Sequence, residues 1–353
     1  MSNFLTVSEH STEELTNLLE NNIIGTPGKG MLYQQMNVRD KIKKIKIPFF
    51  VNLKKDNSII ATCCFCKRSG VTGEGPTSFY IRYFSFKANF RSPGVLSKSL
   101  NKKGGLRTEI LNLLQGKSFK ISNGDRFFHY AYVDPTNIRS FRLIEEFGFQ
   151  KVREFSTILF YRFFPKNQLN ILKLEGHEVD EMKELLKGFY SNYKMFCFDN
   201  LFNDNNYYVI KEKGIVVAGA SVNLNYWKIL NAPGLFGKLL INYFHNIPLL
   251  NRILNKDHHF ISIEGIYFKE GHEKLLEPLF EFLLYKFKVH SALMWADNHS
   301  HLFYSVNKID LGLINKVNKK IKADVVCYFK NYDKNEIENF MLSPSYISST
   351  DLT

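Results

Sequence analysis

At 353 residues the chain exceeds one ordinary core, so its length favours two domains of about 150–200 residues each. An apolar fraction of 44% with 15% aromatic residues excludes wholesale disorder, and the formal charge of +13 makes an anionic partner worth seeking. No apolar run reaches about 18 residues and the N-terminus has no basic region ahead of an apolar one, so neither a transmembrane helix nor a secretory signal is expected; the chain reads as soluble and cytoplasmic.

Ser11-Thr12-Glu13-Glu14 reads as a capping box opening a helix that runs to Glu20, with Leu15, Leu18 and Leu19 on one face. Ile47–Leu53 and Ile59–Cys66 flank a polar turn and read as a hairpin. Phe79–Phe90 reads as a strand, Ser92–Gly105 as a loop and Leu106–Leu114 as a helix. Phe127–Val133 is a strand, Asn137–Phe147 a helix stopped by Gly148, and Lys151–Phe164 a closing strand. After Pro165 the order repeats. Leu169–Leu174, a helix over Val179–Tyr193, and a hairpin of Tyr207–Lys211 with Ile215–Leu224 come first. Phe260–Phe268, a helix within Glu273–Phe287, Ala292–Ala296, a helix over Leu302–Ile309 and Lys322–Lys330 follow. Such self-similarity is the mark of a duplicated α/β domain. The boundaries expected are 1–165, 166–340 and a C-terminal tail over 341–353. One insertion, Leu235–Leu254, reads as a buried helix pair broken at Pro248 or as an apolar lid over an acyl chain.

The charge is not evenly spread. Residues 1–165 hold 25 Lys and Arg against 13 Asp and Glu, a net of +12, whereas residues 166–353 hold 22 against 21. The first half therefore suits a polyanion: a phosphorylated cofactor, a nucleic acid or an anionic surface. The run Arg39, Lys41, Lys43, Lys44, Lys46 is a candidate nucleic-acid patch, but no nucleic-acid motif accompanies it and a solvated face is the commoner meaning. No nucleic-acid partner is expected. Cys63, Cys64 and Cys66 share one strand and Cys197 and Cys327 stand alone, so the five read as reduced thiols; no set has the spacing of a metal site.

The stretch that carries chemistry is His129–Phe149. Val133, Asn137, Ser140, Leu143, Gly148 and Phe149 resemble the C-terminal signature of the GNAT acyltransferase superfamily. There a strand ends at a splayed cleft, a helix opens on Asn, carries a small residue one turn on, and closes with Gly-Phe. Lys102-Lys103-Gly104-Gly105-Leu106-Arg107, leading into Ile110-Leu111, resembles the family loop whose amides hold the pyrophosphate of coenzyme A at a helix N-terminus. Arg107 departs from the pattern, standing where Gly or Ala is usual. Lys98, Lys102, Lys103 and Arg107 would cradle the phosphates. The Tyr that many members place seven residues after the Asn, as acid toward the leaving thiolate, is replaced here by Ile144. His129, Tyr130 and Tyr132 are the substitutes to consider.

The second half is similar in outline. Asp297-Asn298-His299-Ser300 resembles the same helix start, with Tyr304 near the expected Tyr position, and Glu264 stands where some members keep a carboxylate base. Lys269-Glu270-Gly271-His272-Glu273 is a poor phosphate loop and the closing Gly-Phe is missing, so this half reads as a degenerate repeat. The resemblance implies two tandem GNAT-like α/β domains, each a twisted, mostly antiparallel mixed sheet flanked by helices. It implies acyl transfer from acyl-CoA, acetyl-CoA by default, to an amine of a small molecule or peptide. Candidate catalytic residues are Tyr130, Tyr304 and Glu264. Candidate cofactor-binding residues are Lys102, Lys103, Gly104, Gly105, Leu106, Arg107, Asn137 and Ser140. Two rival readings stand beside it: a long-chain or carrier-dependent N-acyltransferase, and a non-catalytic binder that keeps the fold. Acceptor and oligomeric state are not legible here.

Overall fold

In the computed structural model the described residues are 4–71, 76–87, 105–122, 124–168, 170–232, 255–312 and 321–352, with Arg252 and Asn315 besides. The first half holds β1 (Leu5–Ser8), α1 (Glu13–Glu20), β2 (Leu32–Gln35), α2 (Val38–Lys43), β3 (Pro48–Lys55), β4 (Ser58–Arg68) and β5 (Thr77–Phe86). It continues through α3 (Gly105–Leu114), β6 (Phe127–Val133), α4 (Ile138–Glu146) and β7 (Gln150–Tyr161). The second half holds β8 (Ile171–Lys173), α5 (Val179–Phe189), β9 (Tyr207–Glu212), β10 (Ile215–Asn231), β11 (Asp257–Phe268) and α6 (Leu276–Phe287). It ends with β12 (Ser291–Asp297), α7 (His301–Val306), β13 (Ile321–Lys330), α8 (Lys334–Leu342) and α9 (Ser349–Leu352).

Local sequence explains most of these elements. The side chain of Thr12, not Ser11, caps α1 by accepting from the Leu15 amide, and Leu15 and Leu19 are buried. The β3–β4 hairpin turns on Asp56 and Asn57, both with positive φ (50° and 64°), the arrangement a two-residue turn needs to match strand twist. Lys213 and Gly214 do the same between β9 and β10. Asn137 caps α4 by accepting from the Ser140 amide at 3.2 Å. Five elements have no counterpart in the sequence reading: β1, β2, α2, α8 and α9 are too short or too weakly patterned to stand out.

The strands form one sheet, ordered β1-β3-β4-β5-β6-β13-β7-β12-β11-β10-β9-β8, with β2 on β10. Among the described strands only β5–β6 and β11–β12 pair in parallel. The two closing strands are exchanged: β13 lies antiparallel between β6 and β7, and β7 runs on to pair with β12. Each half's sheet is thus completed by the other half's last strand.

Alternation along the strands sorts the core onto two faces. Phe79, Phe127 and His129 face α3 and α4 together with Phe49, Phe65 and Phe119. Tyr80, Phe128 and Tyr130 face the other way, against Leu15, Leu19, Phe340 and Ile347. The residues after α8 pack back onto the sheet. Ser345–Ser349 and Asp351 are buried, because the hydroxyls of Tyr346, Ser348, Ser349 and Thr350 all find partners. All five cysteines are free; Cys64 and Cys66 bring their Sγ atoms to 3.7 Å without bonding. Among the described residues no helix is long and apolar enough to cross a membrane. Most of the insertion over 235–254 lies outside the described residues.

Candidate active site

Each parallel strand pair parts into a V. Pairing between β5 and β6 runs from Thr77–Phe127 to Tyr80–Tyr130 and stops. Beyond it β5 stays with β4 and β6 with β13, and among the described residues the β5–β6 ladder does not continue. At this point β5 bulges: Cys64 pairs with Arg82 and Thr62 with Ser85, leaving Tyr83 and Phe84 opposite Cys63. Tyr83 has φ 58°, a left-handed backbone that costs a bulky residue energy and turns its peptide out of the ladder. β11 and β12 pair only at Ile261–Ala292 and Ser262–Leu293 before they too part. β11 bulges at Gly265, φ 57°, between Glu264–Ser221 and Tyr267–Gly219. Aligning the two bulges sets Arg82 of the first half against Glu264 of the second.

The two openings differ in what fills them. Residues 344–351 run through the second. Lys194 donates its amide to Pro344 O at 2.8 Å and accepts from the Tyr346 amide at 2.8 Å. The Ser345 amide donates to Asp297 Oδ2 at 2.9 Å, the Gly265 amide donates to the Tyr346 hydroxyl at 3.1 Å, and Ser349 Oγ donates to Ile263 O at 2.6 Å. The void left beside Glu264, Asp297 and Tyr346 is about 10 Å³, room for about one water. The segment then crosses to the first half. There Asp351 forms an ion pair with Arg68, lies 3.9 Å from Arg82, and accepts from the Tyr80 hydroxyl through its carbonyl at 3.0 Å.

This decides the position of Glu264. Its carboxylate is buried and accepts from Asn223 Nδ2 (3.1 Å), Ser348 Oγ (2.7 Å), the Ser349 amide (3.1 Å) and Thr350 Oγ1. Burial raises its pKa against those donors. Glu264 anchors the C-terminal segment. Tyr304 is not brought to it. α7 begins at His301 with Ser300 as its cap, three residues later than Asp297, so Tyr304 turns outward with about half its surface exposed. Asp297 accepts from Nε and Nη2 of Arg153 at 2.7 and 2.9 Å.

In the first half the structure gathers some expected residues. Gly105 and Leu106 open α3, whose first amides have no partner within the helix. Asn137 and Ser140 form the α4 cap. Arg107 is drawn away, donating to Glu146 O at 3.1 Å and lying over the Phe147 ring. Lys98, Lys102, Lys103 and Gly104 lie outside the described residues. Tyr130 packs on Tyr80 on the face of the C-terminal segment, and burial pushes its phenol well above the usual range. Tyr132 shares that direction for the same cause, and Ile144 packs into the core. The basic run is dispersed: Arg39 binds Glu13 and Glu20, Lys44 binds Asp204, and Lys46 lies 3.3 Å from Asp199. The sequence reading missed Arg68, Arg82 and Asp351, since nothing local marks a β4 end, a β5 bulge and a chain end as neighbours. Among the described residues no group of three or more His, Cys, Asp or Glu is placed to hold a metal.

His129 is a core residue with a measurable consequence. It is fully buried among phenylalanines, its Nε2 lies 3.0 Å from Leu114 O, and burial lowers its pKa from 6.5 to about 4. Unfolded, it takes its proton near pH 6.5; folded, only near 4. Between those values the unfolded chain binds more protons, so the neutral ring's stability is whole above 6.5 and drains as pH falls toward 4. The loss is about 3 kcal/mol. Urea midpoints at pH 7 and 4.5 should drop more for the native chain than for His129→Phe, and equal drops would remove His129 as the cause.

No family model matches the chain, and no curated protein matches it. The fold is one shared with solved structures of an N-myristoyltransferase and of a GCN5-related N-acetyltransferase region. Saccharomyces cerevisiae N-myristoyltransferase with bound myristoyl-CoA superposes with a TM-score of 0.59 at 10% identity, covering 98% of this chain and 84% of that one. A second structure of that enzyme with myristoyl-CoA gives 0.53 at 11% identity over 94% and 84%. The GCN5-related glucosamine N-acetyltransferase region of a fungal multi-domain β-N-acetylglucosaminidase gives 0.54 at 9% identity, covering 93% of this chain and 38% of that one.

Proposed function

We propose that the chain is a tandem GNAT-type N-acyltransferase that binds acyl-CoA in the first-half opening. What supports this is the contrast between the openings: the second is filled by residues 344–351, whereas in the first the β5–β6 ladder ends at Tyr80–Tyr130, just ahead of the β5 bulge. Ile81–Phe86 and Ala131–Val133 offer backbone partners for a pantetheine arm, and the α3 start, with Lys102 and Lys103 ahead of it, suits a pyrophosphate. The bound cofactor supplies the thioester. A bulge amide polarises its carbonyl, the amine attacks, the C–N bond forms and the C–S bond breaks, and the thiolate leaves to take a proton as the amine loses one. The second half, with Glu264 as its buried anchor, would shape the acceptor side. A cytoplasmic location agrees with five free thiols.

A long-chain donor is favoured by one observation: the N-myristoyltransferase likeness extends over nearly the whole chain. Calorimetric titration with acetyl-CoA and with myristoyl-CoA, followed by thiol release in the presence of an amine panel, tests both. Binding with thiol release supports the enzyme, and the tighter donor sets the chain length. Binding with no release over the panel would leave a binder, and no binding of either would end the proposal.

A further inference from the structure

A polar pocket of about 150 Å³ lies between the halves, lined in part by Lys41, Lys44, Arg68, Arg82, Asn225 and Thr350. Lys44 is held by Asp204 and Arg68 by Asp351. Lys41 is different. Its Nζ lies 2.7 Å from Asn225 Oδ1, and among the described residues it meets no carboxylate within ion-pair distance. Asn225 is fully buried, and its amide nitrogen is committed to Ser262 Oγ and Asn223 O at 2.9 and 3.0 Å, which fixes its oxygen toward the ammonium. Burial, then Arg82 and Lys44, lower the Lys41 pKa well below its usual value. Asp40 also borders the pocket but is exposed, 3.9 Å from Lys43. A part-buried ammonium among guanidinium and ammonium neighbours, with one neutral acceptor, is a position an incoming anion would stabilise. Arg82 immediately precedes the bulge residue Tyr83, so the pocket adjoins the opening where the thioester would lie.

On the acyltransferase reading above, we propose that this pocket seats an anionic group of the acceptor, a carboxylate or a phosphate, so that the acceptor class is a small amine carrying a negative charge. Lys41 and Arg82 hold the anion and the bulge presents the acyl carbonyl to the amine.

The test uses the full chain with inorganic phosphate and with acetate as probes, followed by calorimetry, in the native protein, Lys41→Gln and Lys41→Arg. Phosphate or acetate should bind the native chain, whichever is tighter naming the anion, and affinity should fall about tenfold or more in Lys41→Gln while Lys41→Arg retains it. Turnover of matched pairs, phosphoethanolamine against ethanolamine and β-alanine against propylamine, should favour the charged member, and that preference should fall about tenfold in Lys41→Gln. Anion affinity unchanged in Lys41→Gln, preference for the neutral amine, or displacement of the probe by free coenzyme A would each overturn the proposal. Lys41-dependent anion binding with no acyl transfer to any amine would instead retire the enzyme reading and leave the anion site standing. A melting temperature for Lys41→Gln no lower than the native value separates lost binding from lost fold.

Discussion

Replacing Asp351 with alanine is expected to destabilise the protein by about 3–5 kcal/mol. Its side chain is fully buried, and so nearly are those of Arg68 and Arg82, each with only 6–7% of its side-chain surface exposed. Removing the carboxylate withdraws an anionic partner from two buried guanidinium groups, although Asp199 stays 3.8 Å from Arg68, and the penalty is their desolvation more than the value of the pair itself. The same change loosens the segment that fills the second opening, since Asp351 pins its end while Glu264 and Asp297 hold its middle. The melting temperature should fall by roughly 8 °C, and residues 343–352 should become open to proteolysis. Asp351→Asn, which keeps shape and loses charge, should lie between the two. A melting temperature within a degree or so of native for the alanine variant would show that the cluster holds nothing in place.

Removing Lys102, Lys103 and Arg107 together is expected to weaken acyl-CoA binding about 100-fold, with little change in melting temperature. On the proposed reading, a cofactor with several phosphate charges would sit at the start of α3, whose first amides have no partner within the helix and which Lys102 and Lys103 precede in sequence. Arg107 is bonded to Glu146 O, so its single variant should carry the small stability loss and less of the affinity loss. The paired control is Lys269→Ala with Lys274→Ala, at the corresponding loop of the second half. There the opening is filled, and affinity should not move. Equal weakening in both would place the cofactor in neither opening, and weakening in the control alone would place it in the second.

Much of the secondary structure was legible because it is locally encoded. Asp56-Asn57 and Lys213-Gly214 turn hairpins whatever surrounds them, Asn137 caps its helix from three residues away, and alternation puts Phe79 and Tyr80 on opposite faces. The alternation of strands and helices, and with it the mixed α/β fold class, was legible for the same reason. Two helix starts were legible, Gly105 and Leu106 at one and Asn137 and Ser140 at the other, since helix openings and caps need only neighbours in the chain.

What only the tertiary structure decided involves residues far apart. The exchange of β7 and β13 is settled by their pairing with β12 and β6, partners far away in sequence. Glu264 looks like a base in sequence and becomes an anchor because Ser348, Ser349 and Thr350 arrive from the chain's end to satisfy it. Lys41, Arg68 and Arg82 look like scattered surface charge and become one pocket, because a bulge, a strand end and a helix converge between the halves. Hydrogen-bond satisfaction and charge compensation act through space, and composition records only that the groups exist.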